Sequence, residues 1–166
     1  MTTLVLMLAA AASGLQWGPV ASGVRLGIGL GPTSPEATLR VVFENISAPE
    51  VQIPLGGKTI KGPLYNLVFR ITSPQGKEDP LFDMSGPTGR LKAEPLIAVL
   101  TKGQRYEILL PMSKLVALQN GKNRPLTELL AAHYSVRAML DTTGNPREVT
   151  SYALWAGNLS SGELRR

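Results

Sequence analysis

The sequence predicts an all-β protein, an antiparallel β-sandwich of seven or eight strands with one or two short helical turns. Three observations predict it. Several short segments alternate apolar and polar side chains, as strands with one buried face must; Tyr106 to Leu110 and Tyr134 to Leu140 are the clearest. The 17 glycines and 13 prolines are scattered, so they punctuate many short elements. No stretch sustains a long helical period, and turn signals recur at regular spacing.

The elements follow in order. After Trp17-Gly18-Pro19, the segment Val24 to Leu30 sets Val24, Leu26, Ile28 and Leu30 on one face. A Gly-Pro-Thr-Ser-Pro loop at 31–35 leads to Leu39 to Asn45, with Leu39, Val41 and Phe43 inward. Val51 to Leu55 is interrupted by Pro54, which predicts an edge strand. Tyr65 to Ile71 is the next strand, and Ser73 to Leu91, rich in Pro, Gly and charge, predicts a long surface excursion. Leu96 to Leu100 and Tyr106 to Leu110 follow. Met112 to Val116 predicts one helical turn, Asn120-Gly121 a tight turn, and Pro125 to Ala132 a short helix. Tyr134 to Leu140 and Ser151 to Leu159 close the fold.

The 166 residues suffice for one domain with a proper core. The absence of cysteine excludes disulfides, thiolate zinc sites and thiol catalysis. The net charge of +5 carries no basic run, and aromatic residues are sparse, which argues against a nucleic-acid partner. Residues Leu4 to Ala12 form an uncharged apolar run too short to span a bilayer. It matches the apolar centre of a signal peptide over residues 1–14, although Met1-Thr2-Thr3 lacks the usual positive charge. The expected organisation is that leader followed by a single domain over 15–166 with no transmembrane segment, exported to the periplasm, the cell surface or the medium.

The strand signals also carry a resemblance. Leu39, Arg40 and Asn45 end one strand; Lys102, Gly103 and Tyr106 begin another; Tyr134-Ser135-Val136-Arg137-Ala138 and Trp155-x-Gly157-x-Leu159-x-Ser161 complete the set. Together they resemble exported bacterial immunoglobulin-like domains of the fibronectin type III or CARDB kind. Similar strands occur in the bacterial intracellular proteinase inhibitor family. The resemblance implies an immunoglobulin-like sandwich with an insertion around 72–95. It transfers no catalytic or inhibitory residue, because such sandwiches host many unrelated roles.

Few residues offer chemistry. His133 is the sole histidine, and no nucleophile elbow accompanies it. Glu78, Asp79 and Asp83 cluster without calcium-loop spacing. The Gly27-x-Gly29-x-Gly31 string is followed by Pro32 and Pro35, so it opens no phosphate-binding helix; small residues on an outer strand face, lying under another segment, explain it better. Asn45-Ile46-Ser47 and Asn158-Leu159-Ser160 match the glycosylation sequon by chance. Tyr134 fits a tyrosine corner, its hydroxyl bonding back to nearby backbone. Trp17 and Trp155, near opposite ends of the chain, are expected to act as core lids packed together, with an aromatic ligand platform as the alternative. Arg25, Arg40, Arg70 and Arg137 each lie mid-strand opposite the apolar face. Sharing one sheet they build a basic stripe; divided between sheets they are solvated.

The expected function is a non-catalytic exported binding or structural module. It would contact another envelope or extracellular protein through end loops or the edge near Val51 to Leu55. The alternatives are a protease-inhibitor-like sandwich using the 72–95 loop and an anionic polysaccharide binder using the strand arginines. No enzyme activity, cofactor or metal is expected.

Overall fold

Alternation in the first half of the chain becomes a two-sided sheet. The computed structural model describes residues 14–47, 49–86, 92–143 and 154–166, so the apolar run 4–12 and its signal-peptide reading lie outside the described residues. Strands β1 (Gln16–Trp17), β2 (Val24–Leu30), β3 (Thr38–Asn45) and β9 (Arg105–Pro111) form a four-stranded antiparallel sheet in the order β1-β2-β3-β9. Its register sets Leu26 beside Phe43 and Phe43 beside Tyr106, and Ile28 beside Val41 and Val41 beside Ile108. Side chains of one parity therefore stack in inward rows.

A three-stranded sheet continues two of these strands. It comprises β4 (Val51–Thr59), β5 (Gly62–Tyr65) and β8 (Glu94–Leu100) in the order β5-β4-β8. The chain leaves β3 for β4 and returns from β8 to β9, so both crossings lie side by side. Asn45 joins them. Its buried Nδ2 donates to the carbonyls of Pro49 (2.9 Å) and Leu100 (2.8 Å), and its Oδ1 accepts from the Ser47 N–H (2.9 Å) and hydroxyl (2.7 Å).

Six strands make the facing sheet: β6 (Leu67–Thr72), β7 (Glu78–Asp83), β10 (Leu115–Gln119), β11 (Lys122–Pro125), β12 (Ser135–Asp141) and β13 (Asn158–Ser160). Their order is β11-β10-β7-β6-β12-β13. The inward faces of all three sheets share one hydrophobic cluster, in which Leu26, Phe43, Ile53, Phe69 and Ile71 are almost wholly withdrawn from solvent. Each such side chain contributes about 1.5–3 kcal/mol of transfer free energy. Helix α1 (Leu126–Ala131) adds Leu126, Leu129 and Leu130 to that core, the i, i+3, i+4 set of one helical face. It stops at His133, whose φ of 61° is left-handed. The His133 N–H donates to Leu130 C=O and the Tyr134 N–H to Leu129 C=O, the paired bonds of a Schellman ending. The two ends of the described chain meet: the Gly162 N–H donates to Gln16 C=O at 3.0 Å, and Val136 and Leu164 exchange both main-chain bonds.

The all-β antiparallel sandwich class holds, and the short helix at 125–132 and the Asn120-Gly121 turn stand where expected. Six details differ. The strands number thirteen among the described residues, because several are only two to four residues long. The strand at Val51 runs on to Thr59: Val51 to Pro54 pairs only with β8, as an edge does, whereas Gly56 to Thr59 lies between β5 and β8, and the register shifts between Pro54 and Gly56, where a bulge accommodates the proline. The excursion at 73–91 contains β7, an interior strand, reached by a turn in which the Ser73 N–H bonds the Lys77 carbonyl. Residues 73–77, 84–86 and 92–93 lie outside strands and 87–91 lie beyond the described residues, so β7 is a strand set within the 72–95 insertion. Residues 112–114 turn without forming a helix, and Val116 belongs to β10. Tyr65 to Ile71 breaks at Asn66, whose N–H bonds Leu55 C=O, into strands of two different sheets. The expected closing strand shrinks to β13, with 151–153 outside the described residues.

Candidate functional site on the outer face of the six-stranded sheet

Strands whose inward parity is apolar should present polar groups outward, and this sheet departs from that rule. In β6 the inward residues are Phe69 and Ile71, which leaves Val68 and Arg70 outward. In β7 Leu81 is inward, leaving Pro80 and Phe82 outward; in β12 Val136, Ala138 and Leu140 are inward, leaving Arg137 and Met139 outward. The register then aligns these side chains across four strands. Val116 pairs with Phe82, Phe82 continues the β6–β7 register to Val68, and Val68 pairs with Met139. Phe82 is 51% exposed and Val68 44%, so the row is open to solvent. Exposed contiguous apolar surface rimmed by polar groups is the usual mark of an interaction site.

Arg70 and Arg137 are direct cross-strand partners beside this row. Like charges so opposed repel. Glu78 answers only one of them, accepting from Arg137 Nη2 at 2.6 Å. Arg137 Nε is buried without a hydrogen-bond partner, and Arg70 has no carboxylate partner among the described residues. Arg70 and Val68 border two adjoining clefts. One, of about 410 Å³, extends over Phe82 toward Leu64 and Tyr65; the other, of about 400 Å³, runs over Met139 toward Asn158 and Ser160. Burial pushes the Tyr65 hydroxyl pKa up, as do neighbouring Tyr106 and the Asp83 carboxylate.

The four strand arginines do not form one stripe. Arg70 and Arg137 lie in the six-stranded sheet, Arg25 and Arg40 in the four-stranded sheet. Arg25 Nε donates to Glu44 at 2.6 Å and Arg105 Nε donates to its other oxygen at 2.9 Å, while Arg40 Nε donates to Glu107 at 2.8 Å. Burial by itself raises the Glu44 pKa, but the hydrogen bonds and charges of Arg25 and Arg105 outweigh it, and the carboxyl sits below its ordinary range.

Trp17 lies on the outer face of the four-stranded sheet, not against Trp155. A Cβ on Gly27 would come within 2.6 Å of the Trp17 ring, so the glycine strand lies under another segment. The Arg25 guanidinium stacks 4.2 Å from the indole centroid. Trp155 instead belongs to the core, its main-chain N–H bonding Gln52 C=O while its indole Nε1 is buried without a partner. Tyr134 forms no tyrosine corner: its hydroxyl meets the Gln119 side chain at 3.4 Å, and Arg124 lies over its ring. His133 is an exposed helix ending. Glu78, Asp79 and Asp83 do not converge, being engaged by Arg137, Lys77 and Ser85 respectively. Among the described residues no three such groups gather around a common point. Asn45 is buried and fully hydrogen-bonded, which removes it as a sugar acceptor; Asn158 is exposed.

Val116, Phe82, Val68 and Met139 escaped the sequence reading. The available signal was an apolar residue at an outward parity, Val68 between Leu67 and Phe69, and Met139 between Ala138 and Leu140. No family model matches the chain, and no curated protein or solved structure matches it either.

Proposed function

We propose that this chain is a non-catalytic binding module that contacts another protein through the outer face of its six-stranded sheet. The observation that carries the reading is the exposed Val116–Phe82–Val68–Met139 row beside Arg70, a cation with no carboxylate partner among the described residues. A partner with apolar side chains flanked by a carboxylate is complementary to it. Aliphatic, aromatic and guanidinium groups bind; they do not relay protons at neutral pH. Placement in the envelope or outside the cell draws support from the apolar run 4–12, and kinship with fibronectin type III or CARDB domains from the strand motifs around Asn45, Tyr106 and Tyr134.

The test compares immobilised wild type with Val68→Lys and Phe82→Lys in capture from envelope and secreted extracts, at moderate and high salt. Both positions are exposed, so the variants should unfold at close to the wild-type midpoint. A protein held by wild type and released by both substitutions is the expected result. An identical set of retained proteins on all three surfaces would overturn the reading.

A further inference from the structure

We infer that the free edge of the four-stranded sheet is an interface between two copies of this chain, pairing β9 to β9 in antiparallel register centred on Tyr106. Most sheet edges among the described residues are poor templates. β1 has two residues and β13 three; β5 carries Pro63, β8 carries Pro95, and β11 has four residues ending in Pro125. β9 has seven residues, with proline only at its last position.

Its backbone parity is fixed by the bonds at its two ends. The Asn45 N–H donates to Gln104 C=O at 3.1 Å, and the Met112 N–H donates to Ala37 C=O at 2.9 Å. Stepping by two along the ladder between them, Tyr106, Ile108 and Leu110 exchange bonds with β3. Arg105, Glu107 and Leu109 therefore aim their N–H and C=O groups away from β3, and no described residue bonds those groups. All three are exposed. A second strand can add here by main-chain bonding alone.

The side chains select the register and the occupant. Symmetric antiparallel pairing centred on Arg105 opposes two arginines, and pairing centred on Glu107 opposes two glutamates. Centring on Ile108 sets Glu107 against Leu109. Only centring on Tyr106 sets Arg105 of each copy against Glu107 of the other, so the two-fold axis joins the Arg105–Glu44 pair of one copy to the Arg40–Glu107 pair of the other, twice over, in charge-alternating networks. Opposed pairs of this kind exchange two main-chain bonds each. So short an interface is weak and reversible, and it joins two four-stranded sheets into one continuous sheet.

The charge pattern gives a direct test. Sedimentation of the wild type over a wide concentration range should show a monomer–dimer equilibrium. Arg105→Glu and Glu107→Lys should each be monomeric, because each opposes like charges across the axis. An equimolar mixture of the two variants should dimerise, since every opposed pair is then complementary. Amide exchange on the wild type needs no variant: protection of Arg105 and Glu107 should rise with concentration while that of Tyr106 and Ile108 stays constant. A wild type that remains monomeric, a mixture that does not associate, or dimerisation that survives either variant alone would overturn the proposal. So would exchange at Glu107 that is independent of concentration.

Discussion

Replacing Asn45 by Asp should destabilise the fold strongly at neutral pH and much less in acid. The side chain is wholly buried and makes four hydrogen bonds, two given to the Pro49 and Leu100 carbonyls and two accepted from Ser47. In Asn45→Ala all four partners lose their bond. Ser47 and Pro49 retain contact with solvent, so the cost falls mainly on the Leu100 carbonyl, whose bond is buried. An orphaned buried group costs about 1–3 kcal/mol, and the vacated volume adds to it, giving about 2–4 kcal/mol in all. Asn45→Asp keeps the volume and the acceptor but turns both donated bonds into repulsions between oxygens, around a buried charge. That costs about 3–5 kcal/mol. Protonation restores one donor. Burial and the two carbonyls raise the folded-state pKa of the new carboxyl above its unfolded value of about 3.9. A group so raised is most favourable below its unfolded pKa and loses that stability as pH rises through its folded pKa. The deficit of Asn45→Asp against wild type should therefore shrink as pH falls from 7 toward 4, while that of Asn45→Ala stays level. Urea unfolding followed by tryptophan fluorescence measures both. Deficits under about 0.5 kcal/mol for both variants, typical of unremarkable surface changes, would refute the account of the junction. An Asp deficit that does not move with pH would refute the electrostatic part.

Three further outcomes are expected. His133→Gly should stabilise by about 0.5–1 kcal/mol, read as a higher Tm, because a left-handed non-glycine residue costs about 1–2 kcal/mol and the extra backbone entropy that glycine loses offsets part of the gain. Gly18→Ala should cost about 3 kcal/mol in denaturant unfolding, since its Cβ would stand 1.6 Å from the Ser160 carbonyl oxygen, while Gly14→Ala, with nothing within 4 Å, should be near neutral. Glu44→Gln should be less stable than wild type at pH 7. Glu44 titrates below its ordinary value when folded, so its contribution is present above the unfolded pKa and lost as pH falls through the folded one; the two unfolding midpoints should converge on acidification.

Strands β2, β3, β9 and β12 were legible because each carries apolar residues at alternate positions that turn to the core, although on β2 and β3 much of the other parity is covered as well. β10 was missed, its first two residues falling in the helical turn expected over Met112 to Val116, because Leu115-Val116-Ala117-Leu118 is apolar at every position; its outward residue Leu118 is 62% exposed and gives no polar beat. β7 was hidden by Glu78 and Pro80, which lie on the outer face and mimic a loop. The candidate face was illegible for a different reason. Val116, Phe82, Val68 and Met139 meet only because the strand order is β10-β7-β6-β12, and no local pattern encodes that order. The glutamate partners of Arg25, Arg40 and Arg137 were invisible likewise, since Glu44, Glu107 and Glu78 are brought to them by pairing between distant segments.

The bond between Gly162 and Gln16 bears on how the protein is made. A ribosome delivers β1 long before Asn158–Ser160, which pairs with β12, and before Leu164, which bridges Val136 of that same strand. The other strands can pair during synthesis, but β12 lacks one neighbour and Gln16 its bond to Gly162 until residues 158–164 are released. Joining Gln16 to Gly162 is a highly non-local contact, and such contacts form slowly because the loop between them must close first. The nascent chain therefore holds an open strand edge at β12 until β13 has been released, and any factor that guards the chain from aggregation has that edge to cover.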